Sequence, residues 1–376
     1  FIPMCAFEQS EKGMEFNMKA EHNEKVEILD STKNTKKGKK ANYLKEEKTS
    51  KGENRIRKTP TKKASINQKN EENVMNLQEE KKKNRKEKNI FKKSKLKIIP
   101  LGGLHEVGKN ITAFEYEDEI LVVDCGLSFP EDDMLGIDLV IPDISYLVKN
   151  QEKIKGLVIT HGHEDHIGGI PYLLKQINIP IYAPRLAVGL IKNKLEEHKL
   201  LRSTKLIEVS QGQTLSLGKN FKVEFIRSTH SIPDSVILAI TTPVGTVLHT
   251  GDFKMDYTPI DGKMMDLGRI AELGNQGILA LMSDSTNAER KGFTMSESSV
   301  GEVFDKLFIH CTKRIVVATF ASNVHRVQQI VNAAVKYGRK IAVCGRSMIN
   351  MITTARELGY IECPEDLFID IDMIGT

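Results

Sequence analysis

The chain has 376 residues, of which 40% are hydrophobic, so it is long enough for two domains with cores of their own. Residues 1–95 carry 26 Lys and Arg against 15 Asp and Glu, and residues 96–376 carry 29 against 35; the net +5 therefore belongs to the leading segment, and a global positive field for holding nucleic acid is excluded. Five scattered Cys with no C-x-x-C pair exclude a disulfide framework or zinc ribbon and fit a reducing compartment, and the lack of an 18-residue apolar run excludes a transmembrane helix.

Residues 1–95 are rich in Lys, Asn and Glu and show no sustained apolar periodicity, which reads as a disordered basic extension. Its Lys runs at 36–40 and 81–86 suit a non-specific nucleic-acid tether or part of an organelle-targeting leader. The 15 acidic residues argue against a simple transit peptide. The first residue is Phe1, which reads as an incomplete gene product.

Regular structure is expected from Lys97. A strand at 98–101 leads into a glycine-rich loop, 102–110. That loop lacks the Gly-Lys-Ser/Thr end of a P-loop and does not match G-x-G-x-x-G, so it reads as a tight turn. Paired strands at 111–116 and 120–123 deliver Asp124. This residue is either a plain strand-end turn residue or a carboxylate that orients a neighbouring metal-binding loop, and the histidines downstream favour the second. A short helix is expected over 144–148.

Residues 157–160 read as a buried strand that runs straight into His161-x-His163-x-Asp165-His166. His161 and His163, two apart, face one side in extended geometry and suit chelation of one divalent ion. Asp165 and His166 start the next turn and can reach a second ion. Two ions about 3.5–4 Å apart clamp the attacking and leaving oxygens of a phosphodiester. Imidazole with carboxylate suits Zn²⁺, and Mn²⁺ is also accommodated.

A helix follows at 170–177, then a strand at 179–183 and a helix at 186–201. A strand at 223–226 ends near His230, the next candidate ligand, beside Pro233. A hairpin at 236–242 and 245–248 leads to Asp252. It sits next to Gly251, and its two carboxylate oxygens can bridge two ions. His249 reads as a packed neighbour and His198 as a surface residue. From 296 onward helix and strand alternate over 296–310, 313–319, 322–337, 340–344 and 347–359, which suits a small α/β domain facing the metal domain. Ser322 reads as an N-cap, ahead of an apolar face of Val324, Val327, Ile330, Val331 and Ala334. A helix N-terminus there can bind phosphate.

The H-x-H-x-D-H spacing resembles the metallo-β-lactamase superfamily. With it, Ser283-Asp284-Ser285-Thr286-Asn287-Ala288-Glu289, the loop Ala318 through Arg326, and Gly345-Arg346-Ser347-Met348 are similar to ribonuclease J, of the β-CASP branch of nucleases. The resemblance implies an αββα sandwich at 96–290 and a partial β-CASP α/β domain at 291–376, after the extension at 1–95. It implies one zinc on His161, His163 and His230, a second on Asp165 and His166, and Asp252 between them. It implies that Asp284 helps protonate the leaving oxygen, and that Ser322, Asn323, His325, Arg346 and Ser347 lie near an RNA backbone. It further implies 5′→3′ exonuclease and endonuclease activity on RNA, homo-oligomers, and a place in the cytoplasm or a plastid-like organelle, not outside the cell. In that family a Ser-Gly-His loop and a later His follow, whereas no His follows His325 here, so the chain reads as truncated. Rival readings are another hydrolase of the same fold, a β-CASP nuclease acting on DNA, and an inactive RNA-binding fragment.

Overall fold

A computed structural model describes residues 94–374 and the backbone of 26–28. The rest of the basic extension lies outside the described residues. Seven strands form the first sheet in chain order: β1 (Val26–Ile28), β2 (Leu96–Gly102), β3 (Ile111–Tyr116), β4 (Glu119–Val123), β5 (Ile154–Val158), β6 (Ile181–Pro184) and β7 (Leu206–Val209). Strands β2 to β4 run antiparallel, and β4 to β7 run parallel. The second sheet holds β8 (Thr214–Leu217), β9 (Phe221–Arg227), β10 (Val236–Thr242), β11 (Gly245–His249) and β12 (Ala280–Met282). It is antiparallel except for β12, which runs parallel to β11.

Strand periodicity explains how the layers stack. In β4, Leu121 and Val123 face the second sheet, while Ile120 and Val122 face the helices on the other side. In β10, Val236, Leu238 and Ile240 face the first sheet, and Ile237 and Ala239 face outward. Between the sheets lies a core of Phe114, Leu121, Phe225, Leu238 and Val247. Trimming Leu121 or Leu238, both fully buried, to Ala costs about 2–5 kcal/mol.

Helices close both outer faces. On the first sheet lie α1 (Ser145–Lys149), α2 (Glu164–Ile167), α3 (Ile170–Leu174) and α4 (Arg185–Glu197). Helix α4 buries Leu186, Ala187, Leu190, Ile191 and Leu195, a stripe at helical spacing. The second sheet is covered by α5 (Leu267–Gln276), through Leu273 and Ile270. The result is the αββα sandwich.

The segment after β12 adds α6 (Ser298–His310), α7 (Val324–Lys336), α8 (Arg346–Glu357) and a small parallel pair, β13 (Ile341–Ala342) with β14 (Phe368–Ile369). Its apolar faces join the cluster under the first sheet without a break, so one core crosses residue 290. Asn193 on α4 donates to Thr354 Oγ1 on α8 at 2.8 Å. Gly189 faces the same threonine, and a Cβ there would lie 2.8 Å from it.

Two local readings are corrected. Residues 313–319 form no strand: among the described residues the small sheet of this segment holds only β13 and β14, and no neighbouring strand pairs with 313–319. The N-cap of α7 is Asn323, not Ser322: the Asn323 carboxamide accepts the Arg326 N–H at 3.0 Å. Among the described residues no helix is long and apolar enough to cross a membrane.

Candidate metal centre

The site forms where strands of both sheets end. Val123 of β4 pairs with Val158 of β5, so Asp124 emerges beside Thr160. Asp124 takes a left-handed backbone with φ 58°, a conformation Asp tolerates better than most residues. Its Oδ1 accepts the Thr160 N–H at 2.8 Å. Its Oδ2 accepts the Thr160 hydroxyl at 2.9 Å and His166 Nδ1–H at 2.8 Å. Having donated to Asp124, Thr160 Oγ1 can accept from His161 Nδ1–H, 3.0 Å away. One carboxylate thus commits the Nδ1 protons of two rings and leaves both Nε2 atoms facing inward.

The second sheet supplies the other half. His230 follows β9 and Asp252 follows β11. Val236 N donates to Thr160 O at 3.0 Å, and Lys254 N donates to Thr229 O at 2.8 Å, tying these loops together. His161 Nε2 lies 3.1 Å from His163 Nδ1, which lies 3.2 Å from His230 Nε2. These three rings with Asp252 make one group whose ligand atoms fall within 4.8 Å of one another. Asp165, His166 and Asp252 make a second such group. Asp252 belongs to both: Oδ1 is 3.3 Å from His166 Nε2, and Oδ2 is 3.8 Å from His230 Nε2.

The electrostatics separate the two groups. Burial, together with neighbouring imidazoles, pushes His161 well below the usual histidine range and His163 down to about 3. Burial likewise brings His230 down to about 4, against the pull of Asp252. These rings stay neutral and keep their lone pairs. At His166 burial also works against the charged form, but Asp252, Asp165 and Asp124 outweigh it and raise the ring well above the usual value. Burial would raise Asp252, but the imidazoles of His166, His161 and His230 hold it well below the usual carboxylate range. Three carboxylates around His166 therefore call for a positive charge, and converging neutral imidazoles offer ligands beside it. This donor set fits divalent metal ions.

Other residues singled out in the sequence fall around this centre. Ser322, Arg346 and Ser347 line a cleft of about 610 Å³ that also reaches His163 and Asp165. His325 and Asp284 line a different cleft, of about 1030 Å³, which reaches His230. Asn323 is buried as a helix cap. Asp284 Oδ1 accepts from Thr286 N at 2.8 Å and Thr286 Oγ1 at 2.6 Å. Burial raises its carboxyl, and the charge of Asp252 adds to the rise. His249 is buried edge-on to Phe114 and accepts the Gly251 N–H at 3.3 Å.

Sequence reasoning passes over two residues. Thr160, a hydroxyl directly before the first His, carried a readable signal. Asn110 did not: it closes a loop read as a mere turn, yet its Nδ2 lies 3.4 Å from Asp165 Oδ2 and 3.1 Å from His166 Nε2.

This fold and ligand geometry define a metallo-β-lactamase superfamily protein, and residues 106–269 match that family model. Residues 312–376 match the ribonuclease J β-CASP domain. The chain belongs to the ribonuclease J family. It is 59% identical over 277 residues to ribonuclease J of Synechocystis sp., covering 73% of this chain and 43% of that protein. It is 54% identical over 280 residues to ribonuclease J 1 of Streptococcus pyogenes (74% and 50% covered) and 46% identical over 277 residues to ribonuclease J2 of Bacillus subtilis (73% and 50%). The chain spans about half the length of the curated relatives it matches. A crystal structure of a protein of unknown function from Enterococcus faecalis shares the fold, with TM-score 0.53, 15% identity and 73% of each chain covered.

Proposed function

We propose that this chain carries the catalytic centre of a hydrolase that cleaves RNA phosphodiester bonds, with two zinc ions as cofactors and Mn²⁺ as an alternative. The reading is carried by the sharing of Asp252 between two ligand groups. His161, His163, His230 and Asp252 would hold one ion, and Asp165, His166 and Asp252 the other. When bound, such ions supply Lewis-acid charge at the phosphate and acidify water.

The protein's own groups do the rest. Asp124 and Thr160 hold the rings of His161 and His166 with Nε2 inward. Asp252, unprotonated and buried, keeps the two halves of the centre in register. Asp284, in the cleft beside His230, holds its proton to higher pH than an ordinary carboxyl, which supports a role in protonating the departing oxygen. Ser322, Arg346 and Ser347 line the approach on the other side and supply hydroxyl and guanidinium donors for the RNA backbone. His325 would contact the strand from the Asp284 side. The same proposal includes a cytoplasmic or plastid-like location and assembly as a homo-oligomer.

The test compares ion-stripped and zinc-reloaded protein on end-labelled RNA, DNA of the same sequence, and a thioester. Zinc-dependent RNA cleavage is the expected result. Thioester turnover with RNA left intact would assign the centre to a small-molecule hydrolase instead.

A further inference from the structure

The glycine-rich loop between β2 and β3 does more than reverse the chain. Its last residue, Asn110, is strapped to the metal-binding segment by its backbone. Asn110 N donates to Asp165 O at 3.1 Å, and Gly126 N donates to Asn110 O at 2.9 Å. The side chain then turns inward. Nδ2 donates to Asp165 Oδ2 at 3.4 Å and stands 3.1 Å from His166 Nε2. Oδ1 points at Gly103, where a Cβ would lie 2.7 Å from it. Gly103 has φ +82°, so glycine there provides both the turn and the room. The opposite amide orientation would set oxygen against the Asp165 carboxylate and leave the NH₂ group against Gly103. With His166 Nε2 unprotonated, as it must be to hold an ion, the Asp165 carboxylate, which can only accept, therefore sets nitrogen inward.

The second ligand group needs such a hold. His166 is anchored by Asp124, and Asp252 is 2% exposed. Asp165 sits on a four-residue helix and is the most open of the three, with its side chain 15% exposed. A carboxylate there has rotamers to choose from, and an ion bound by three side chains loses affinity when one of them wanders.

We propose that Asn110 is a positioning residue of the second ion site, its carboxamide fixing Asp165 against His166 at the separation an ion requires. The proposal rests on the two-ion reading above. It gives Asn110 a role confined to one of the two ions, since the amide touches no member of the group formed by His161, His163 and His230.

The test is a Co²⁺ titration of ion-stripped full chain, followed by visible absorption and equilibrium dialysis. Wild-type protein should fill in two steps. Asn110→Ala keeps both backbone bonds, so the fold and the first step should be unchanged, while the second midpoint moves to about 10–100-fold higher Co²⁺. Asn110→Ser, whose hydroxyl is too short to reach Asp165, should behave the same way and serves if the alanine variant folds poorly. Two unchanged steps would overturn the proposal. So would an equal shift of both steps, which marks a residue that only supports the fold. Wild-type protein that binds fewer than two ions would instead sink the two-ion reading, before any variant is made.

Discussion

Asp124 Oδ2 and His166 Nδ1 meet at 2.8 Å, with both side chains 2% exposed, across 42 residues of sequence. The same carboxylate reaches His161 through the Thr160 hydroxyl, so one buried charge sets ring orientation in both ligand groups. Asn at 124 keeps the size and tolerates the positive φ, but it brings an N–H towards donors that need an acceptor. Asp124→Asn should therefore weaken zinc binding about 10–100-fold while leaving the fold in place. Competition with a chromophoric chelator measures this, and unchanged affinity would remove Asp124 from the centre.

Asp252 and His163 should differ in how much they take away. His163 belongs to one ligand group and Asp252 to both. After dialysis against trace zinc, His163→Ala should retain one ion per chain and Asp252→Ala should hold neither firmly. Elemental analysis reads the difference. Equal retention by the two variants would contradict a shared carboxylate.

Stability of the ion-free protein should peak near neutral pH. His163 at about 3, His230 at about 4 and His161 well below its usual value all lie under the unfolded histidine pKa of about 6.5. The unfolded chain thus binds more protons at these rings, and their contribution, complete above about pH 6.5, is lost as pH falls towards 4. His166 is raised, so its contribution is complete below about pH 6.5 and is lost as pH climbs through its folded value. Urea midpoints from pH 4.5 to 9 test both limbs. A midpoint that does not fall on acidification would contradict neutral, buried ligand rings.

Gly126 permits the closest backbone approach in the centre. A Cβ there would lie 1.6 Å from Asp165 O, a contact no side-chain rotation relieves. Gly126→Ala should cost about 1–3 kcal/mol of stability and push Asp165 away from its group. Chemical denaturation with a zinc titration would show both effects together, and a variant of wild-type stability would mean the loops have slack that the structure does not show.

Much of this was legible in the sequence because the ligands sit at strand ends. Asp124, His161, His230 and Asp252 each follow an apolar run, and the period-2 burial of β4 and β10 carries that pattern into the sandwich. What escaped depends on partners distant in sequence. Asn110 reads as part of a turn until Asp165, 55 residues on, is folded against it. Residues 313–319 have strand composition, but a strand exists only with a neighbour to pair with. Helix α5 is legible in principle, since Asp266 caps it by accepting the Arg269 N–H at 3.0 Å, a signal of the ordinary kind.

A paired-ion centre organised on Asp252 should be visible by anomalous diffraction at the zinc edge from crystals of the reloaded protein. Two peaks are expected, one against His161, His163 and His230 and one against Asp165 and His166, with the Asp252 carboxylate between them. A single peak, or zinc bound away from these side chains, would contradict that centre.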